Sequence, residues 1–389
     1  MQKEKAIIIL TVLIDVLGLG IIVPVLPFYV ESFGASAFTL ILLFSVYALF
    51  SFVSGPFLGA LSDKIGRRPV LIVSLFSTGV GWFVFASAHA IWVLFLGRII
   101  DGMAAGNLPI TQSYLVDIAR TPKERTTNLG IIGSVFGVGF IIGPAVGGAL
   151  SSISHPLPFF FVGGLATLNA IAALFFLPES LTHIDRQKRI ALNPFSPLVS
   201  AVKDRPLRSR YIAWFFFGIS FSGMQSVLAL YMGKVFGFSV AMVGTIYTGM
   251  GVIIFLNQTF LLRNFWLRFF REPALETWPF LSNAICLLLM MVPSIPFLVS
   301  GIVLYVFSQS LLRVVVASRA AGIAGDRRRG EVLGIMASVL SAAMIGGPLL
   351  AGGLFDVRPF FPFAACSAAF ASGFITMKFF SLTTAGNDE

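Results

Sequence analysis

Apolar runs of about 20 residues recur along the whole chain, each closed by a short break that carries charge, proline or glycine. An α-helix rises about 1.5 Å per residue, so runs of that length cross the roughly 30 Å of a bilayer's hydrocarbon. Strand barrels show short alternating segments instead. The breaks predict twelve spans, near 5–29, 38–61, 69–89, 91–117, 127–151, 157–178, 210–233, 240–262, 276–293, 296–318, 331–354 and 360–381. The first run follows Lys3 and Lys5 as a signal peptide would, but it is too long and no small-residue cleavage site follows it. It reads as a retained helix.

Composition agrees: 57% of the 389 residues are hydrophobic and 11% charged, with a mean hydropathy of +0.92. A soluble domain of this length is far less apolar. The net charge of +10 would suit a polyanionic partner, but its placement excludes nucleic acid. With both termini inside, all of the 27 Lys and Arg except Arg98, Arg313, Lys234 and Arg358 fall on the cytoplasmic side. This is the bias that orients proteins in a cell (inner) membrane. Cys286 and Cys366 sit in different spans, so neither a disulfide framework nor a metal site is expected, and no cofactor motif appears.

The chain is written twice. Residues 129–150 (LGIIGSVFGVGFIIGPAVGGAL) and 333–354 (LGIMASVLSAAMIGGPLLAGGL) share ten identities in 22 ungapped positions. A basic break precedes each copy, so span 5 corresponds to span 11. The expected organisation is a six-helix bundle over 1–178, a cytoplasmic linker over 179–209 and a second bundle over 210–389. Part of the linker suits the membrane surface. Parallel halves of this kind place a binding site between them and alternate its access by rocking.

Between spans 2 and 3 stands GALSDKIGRRPVL, in which Gly59, Leu61, Asp63, Gly66, Arg67, Arg68 and Leu71 fit the pattern G-x-L-x-D-x-x-G-R-R/K-x-x-L. Asp63 suits the positive end of a neighbouring helix, Gly66 a tight turn and Arg67 a carboxylate. Here the chain resembles the major facilitator superfamily, an all-α fold of twelve helices in two pseudo-symmetric bundles. The resemblance implies that this loop is a conformational latch with Asp117 of span 4 as a partner. The corresponding stretch of the second half, 261–275, keeps basic residues but lacks the Asp and the Gly, so no symmetric second latch is expected. Span 5 fits a second family pattern, G-x-x-x-G-P-x-x-G-G, through Gly139, Gly143, Pro144, Gly147 and Gly148. Glycines four apart make a flat stripe for close helix approach, and Pro144 removes a backbone bond. The resemblance adds the reading of an antiporter signature, beside plain packing.

Span 4 carries Arg98 and Gly102 of an R-x-x-x-G pattern, with Asp101 three residues from Arg98 and so on the same face. A static internal ion pair and, by resemblance, a part in proton transfer stand as equal readings. The stretch LIDVLGLGIIVPVLP of span 1 holds one acid, Asp15, with Gly18, Gly20, Pro24, Leu26 and Pro27 in the positions found in drug:proton antiporters such as the tetracycline exporters. LPES (177–180), at the end of span 6, extends that resemblance. An acid inside a span is costly and marks function by default. Burial favours a carboxyl's protonated form and exposure to water its ionised form, so Asp15 is the expected titrating group. The helix 3 acid of tetracycline exporters falls on Gly81 here, and the ninth span is read as free of acids, so metal-tetracycline recognition is not expected.

The candidate pocket is aromatic and weakly polar: Tyr29, Tyr47, Gln112, Trp214, Met224, Gln225 and Gln309. Arg313 snorkels to the interface or meets an anionic substrate. Such a lining suits an amphipathic organic compound. The function expected is a secondary transporter exporting that small-molecule substrate in exchange for protons, working as a monomer. The alternative is uptake of a metabolite or peptide. His89, His155 and His183 lie on separate segments, which disfavours a membrane enzyme.

Overall fold

The computed structural model of the protein describes residues 2–119, 122–181 and 193–380, and among them every regular element is helical. The linker residues 182–192, with His183, lie outside that set. Helix satisfies each backbone donor and acceptor within its own segment, as hydrocarbon demands. Among the described residues ten helical stretches are long and apolar enough to cross a bilayer, and Val135–Ser151 is a shorter apolar one.

The chain divides into two units, the first of Met1–Pro194 with Ser239–Gly251 and the second of Phe195–Phe238 with Val252–Glu389. The first holds α1 (Gln2–Glu31), α2 (Ala37–Ile65), α3 (Arg67–Ala86), α4 (Ile91–Met103), α5 (Asn107–Asp117), α6 (Pro122–Ser151) and α7 (Leu157–Phe176). Span 4, expected to be continuous, breaks between α4 and α5 in a turn over 104–106. Pro109 is the cause: it has no N–H for the carbonyl of Ala105, and its ring crowds that carbonyl. Acceptors freed at a break in hydrocarbon need new donors. They have them: Ser54 Oγ donates to the Gly102 carbonyl at 2.8 Å, and Ser74 Oγ donates to that of Ala104.

The glycine stripe of α6 lies on α1. A Cβ on Gly143 would stand 2.9 Å from Gly20 Cα, one on Gly139 2.6 Å from Val16 Cγ1, and one on Gly147 3.2 Å from Ile21 Cα. Gly148 turns toward Ala241 and Gly244, in the part of α10 (Val240–Leu256) that belongs to this unit. Gly143→Ala should therefore cost about 1–3 kcal/mol of stability, the usual effect of overpacking. Gly164→Ala, where nothing stands within 4 Å, should cost none. Equal shifts of the two variants' thermal unfolding in detergent would contradict this packing.

The second unit holds α8 (Ser196–Lys203), α9 (Arg208–Phe236), a π-helical segment (Asn257–Trp266), α11 (Leu267–Phe269), α12 (Glu272–Met290), α13 (Ile295–Phe355) and α14 (Phe361–Phe380). The break expected between spans 10 and 11 is helical, so α13 contains both spans. No proline stands between Pro296 and Pro348, and the alanines and arginines of the connector favour helix against Gly322, Gly325 and Gly330. The written repeat is also a packing repeat. Gly347, 204 residues after Gly143, meets α9 so closely that its Cβ would stand 3.0 Å from Gly223 N. Gly223 thus plays in α9 the part that Gly20 plays in α1. Five residues before Gly20 stands Asp15; five before Gly223 stands Gly218. The acid is not duplicated.

Candidate functional site

Asp15 stands on α1 beside Val16, the residue on which Gly139 of α6 rests. The break in span 4 makes Asn107 the first residue of α5, buried at 3% exposure. Its Nδ2 donates to Asp15 Oδ1 at 3.1 Å and to Thr78 Oγ1 of α3 at 3.2 Å. Its Oδ1 is buried without a hydrogen-bond partner among the described residues. Three helices therefore converge on one carboxylate through one amide. No ion pair reaches Asp15 among the described residues.

Arg98 pairs with Asp101 instead. The guanidinium, on a residue only 4% exposed, stands 3.3 Å from Asp101 Oδ2 and lies over the rings of Trp82, Phe85 and Tyr47 at 4.5, 4.8 and 5.5 Å. Such rings present negative faces to a cation and replace part of its lost hydration. Asp101, itself buried, faces Arg98. At Gly81 a Cβ would stand 3.0 Å from Asp101 N and 3.1 Å from the Gly97 carbonyl, so no acid fits there.

At one end of the unit the motif between α2 and α3 forms a closed network. Gly66 takes φ +109, a region L side chains rarely adopt. Arg67 reaches Asp63 at 2.5 Å, Asp117 at 3.2 Å and Ser62 Oγ at 2.7 Å. The resemblance suggested Asp117 as partner; it did not suggest Glu179 of LPES. The Glu179 carboxylate accepts from the backbone N–H groups of Arg67 and Arg68 at 2.9 and 3.1 Å, capping the start of α3. An anion is favoured there by the helix dipole and by donors left unpaired at a helix start. Arg68 donates to the Leu174 carbonyl, and Ser180 Oγ to Asp117, at 2.7 and 3.1 Å.

The second unit carries a charge cluster that the acid-free reading of the ninth span excluded. Glu276 is buried in α12 and pairs with Arg210 of α9 through both oxygens, at 2.7 and 3.1 Å, and with Arg319 of α13 at 3.2 Å. It stands at the boundary of the predicted span, where Arg271 and Glu272 mask its burial in the sequence pattern. Glu276→Ala would leave two arginines without their anion and should cost about 3–5 kcal/mol. A thermal unfolding midpoint unchanged from wild type would contradict the pairing.

The pocket candidates separate. Tyr47 faces Arg98. Tyr29 is buried and lines a cavity of about 690 Å3 with Ser32, Phe33, His89, His155 and Phe160. Trp214 is a packing residue, stacked on Phe217 at 4.5 Å and donating from Nε1 to the Met336 carbonyl at 3.1 Å. Met224 and Gln309 are buried, Gln225 is half-buried, and Gln112 and Arg313 are exposed.

Membrane-spanning helices in two units that repeat one glycine contact, with an unduplicated acid in the first, define a solute transporter of the duplicated-bundle class. Residues 8–275 match the Major Facilitator Superfamily, and the chain belongs to it. It is a multi-pass membrane protein that transports small molecules. It is 28% identical over 362 residues to the quinolone resistance protein NorA of Staphylococcus aureus (strain MSSA476), covering 92% of this chain and 91% of that protein. It is 27% identical over 368 residues to multidrug resistance protein 2 of Bacillus subtilis (strain 168), covering 93% and 91%. Among solved structures, the human organic anion transporter MFSD10 (TETRAN) superposes with a TM-score of 0.73 at 23% identity, covering 97% of this chain and 99% of that one. That likeness speaks for the fold.

Proposed function

We propose that this transporter exports an amphipathic organic compound in exchange for protons, as a monomer with both termini in the cytoplasm. The observation that carries the reading is Asp15, a membrane acid held by one amide donor and by no cation among the described residues. Ionised, such a group is costly in hydrocarbon; a proton or access to water relieves it. A carrier that exposes Asp15 to each side in turn makes its protonation part of the cycle. Asn107 suits both states, since its amide donates to a carboxylate and its unfilled Oδ1 accepts from a carboxylic acid after an amide flip. Arg98 and Asp101 neutralise one another, and the Asp63–Arg67–Asp117 network with Glu179 is the latch. The drug-resistance names of the two relatives support organic efflux.

The test is direction. In inverted vesicles with a preformed acid interior, adding a quinolone should dissipate the gradient as protons leave and drug enters. Acidification of the interior, or proton movement only in the direction of the drug, would support uptake by symport instead.

A further inference from the structure

Residues 195, 198, 199 and 202 are Phe, Leu, Val and Val, the spacing of one helical stripe. In α8 that stripe points away from the protein: Phe195 is 59%, Val199 50% and Val202 64% exposed, and with Leu198 and Lys203 they line a groove of about 410 Å3. The packed side is the other one, where Ala201 is buried and the helix lies against α13 and α9. Asp204, just past the helix end, accepts from Arg328 Nη2 at 2.7 Å, and Arg328 Nε reaches Glu331 at 3.1 Å. These carboxylates hold the Arg328 guanidinium above its usual range, so the clip stays charged.

Three large apolar side chains in an outward row need a cover. The membrane is at hand: the membrane-crossing stretch of α9 begins at Arg208, five residues after Lys203 ends α8. Five residues reach at most roughly 18 Å, so α8 stays within that distance of the point where α9 enters the bilayer. Lys203, Arg205 and Arg208 stand exposed around the stripe. A short helix with an apolar face and basic flanks binds in the headgroup region, its Lys and Arg stems lying along apolar surface.

We propose that α8 lies in the membrane interface, with Phe195, Val199 and Val202 among the acyl chains and Lys203, Arg205 and Arg208 on anionic phospholipid headgroups of the cytoplasmic leaflet. Through Asp204 and Arg328 the lipid-seated helix is tied to α13, so the linker follows the second unit's position at the membrane surface. The choice of leaflet rests on the topology proposed above; the depth of α8 does not.

The experiment uses the full-length transporter in vesicles, with a spin label on a cysteine introduced by Val199→Cys or Val202→Cys and, as polar-face control, Ser200→Cys. The native Cys286 and Cys366 are buried and leave these sites selective. At 199 and 202 the label should be more accessible to oxygen than to a water-soluble nickel complex, and at 200 the order should reverse. Replacing phosphatidylcholine by phosphatidylglycerol should deepen the labels at 199 and 202, and K203Q/R205Q/R208Q should abolish that response. Water-like accessibility at 199 and 202 overturns the proposal. So does protection from both reagents, which would place a partner protein or a second copy over the stripe. Depth indifferent to headgroup charge overturns the anionic chemistry. None of these readouts depends on transport, and a membrane-impermeant reductant of the label, added outside right-side-out vesicles, reads the leaflet separately.

Discussion

Asp15→Asn is expected to leave substrate exchange intact and to abolish proton coupling. Asparagine keeps the size of the side chain and a hydrogen-bonding partnership with Asn107, but it carries no titratable proton. Counterflow, in which labelled substrate exchanges for unlabelled substrate with no gradient, needs the carrier to cross with substrate and without a proton, and should continue. Accumulation driven by a pH gradient needs a group that binds a proton on one side and releases it on the other, and should fall to the level of protein-free vesicles. The two assays on one preparation separate coupling from folding. Full gradient-driven accumulation by the variant would remove Asp15 from the mechanism.

The second large effect concerns Arg98. Removing it with Arg98→Ala leaves Asp101 buried without its cation and strips that cation from three aromatic rings. Breaking a buried pair from one side typically costs about 3–5 kcal/mol. Replacing both members, as in R98M/D101L, removes the unpaired charge along with the pair, so stability should return to within about 1 kcal/mol of wild type. The double variant should also keep gradient-driven transport if the pair is static. A stable double variant that has lost coupling would instead place the pair on the proton path.

Much of this arrangement is legible in the sequence because it rests on short-range rules. Run length marks the spans, and the 204-residue repeat foretells that Gly347 packs on α9 as Gly143 packs on α1. Gly66, Arg67 and Asp117 come together as their motif implies. What escapes is set by partners distant in sequence. Asn107 looks like one more polar residue in a span until Pro109 is seen to break the helix four residues earlier, which makes Asn107 a helix start facing α1. Glu179 lies 112 residues from Arg67, and only the unpaired N–H groups at the start of α3 call for it. Glu276 was hidden by standing next to the interfacial charges of its own helix. The connector between spans 10 and 11 reads as a break from its charge and its glycines, although it holds no proline to stop the helix.

In the proposed cycle substrate and proton are linked at Asp15. Substrate-induced proton release tests it most directly: purified transporter in weakly buffered detergent solution, with bulk pH followed as a quinolone is added. Wild type should release protons on binding, in proportion to the transporter that binds, and Asp15→Asn should bind the compound and release none. Equal release from both, or binding by wild type with no release, would contradict the account.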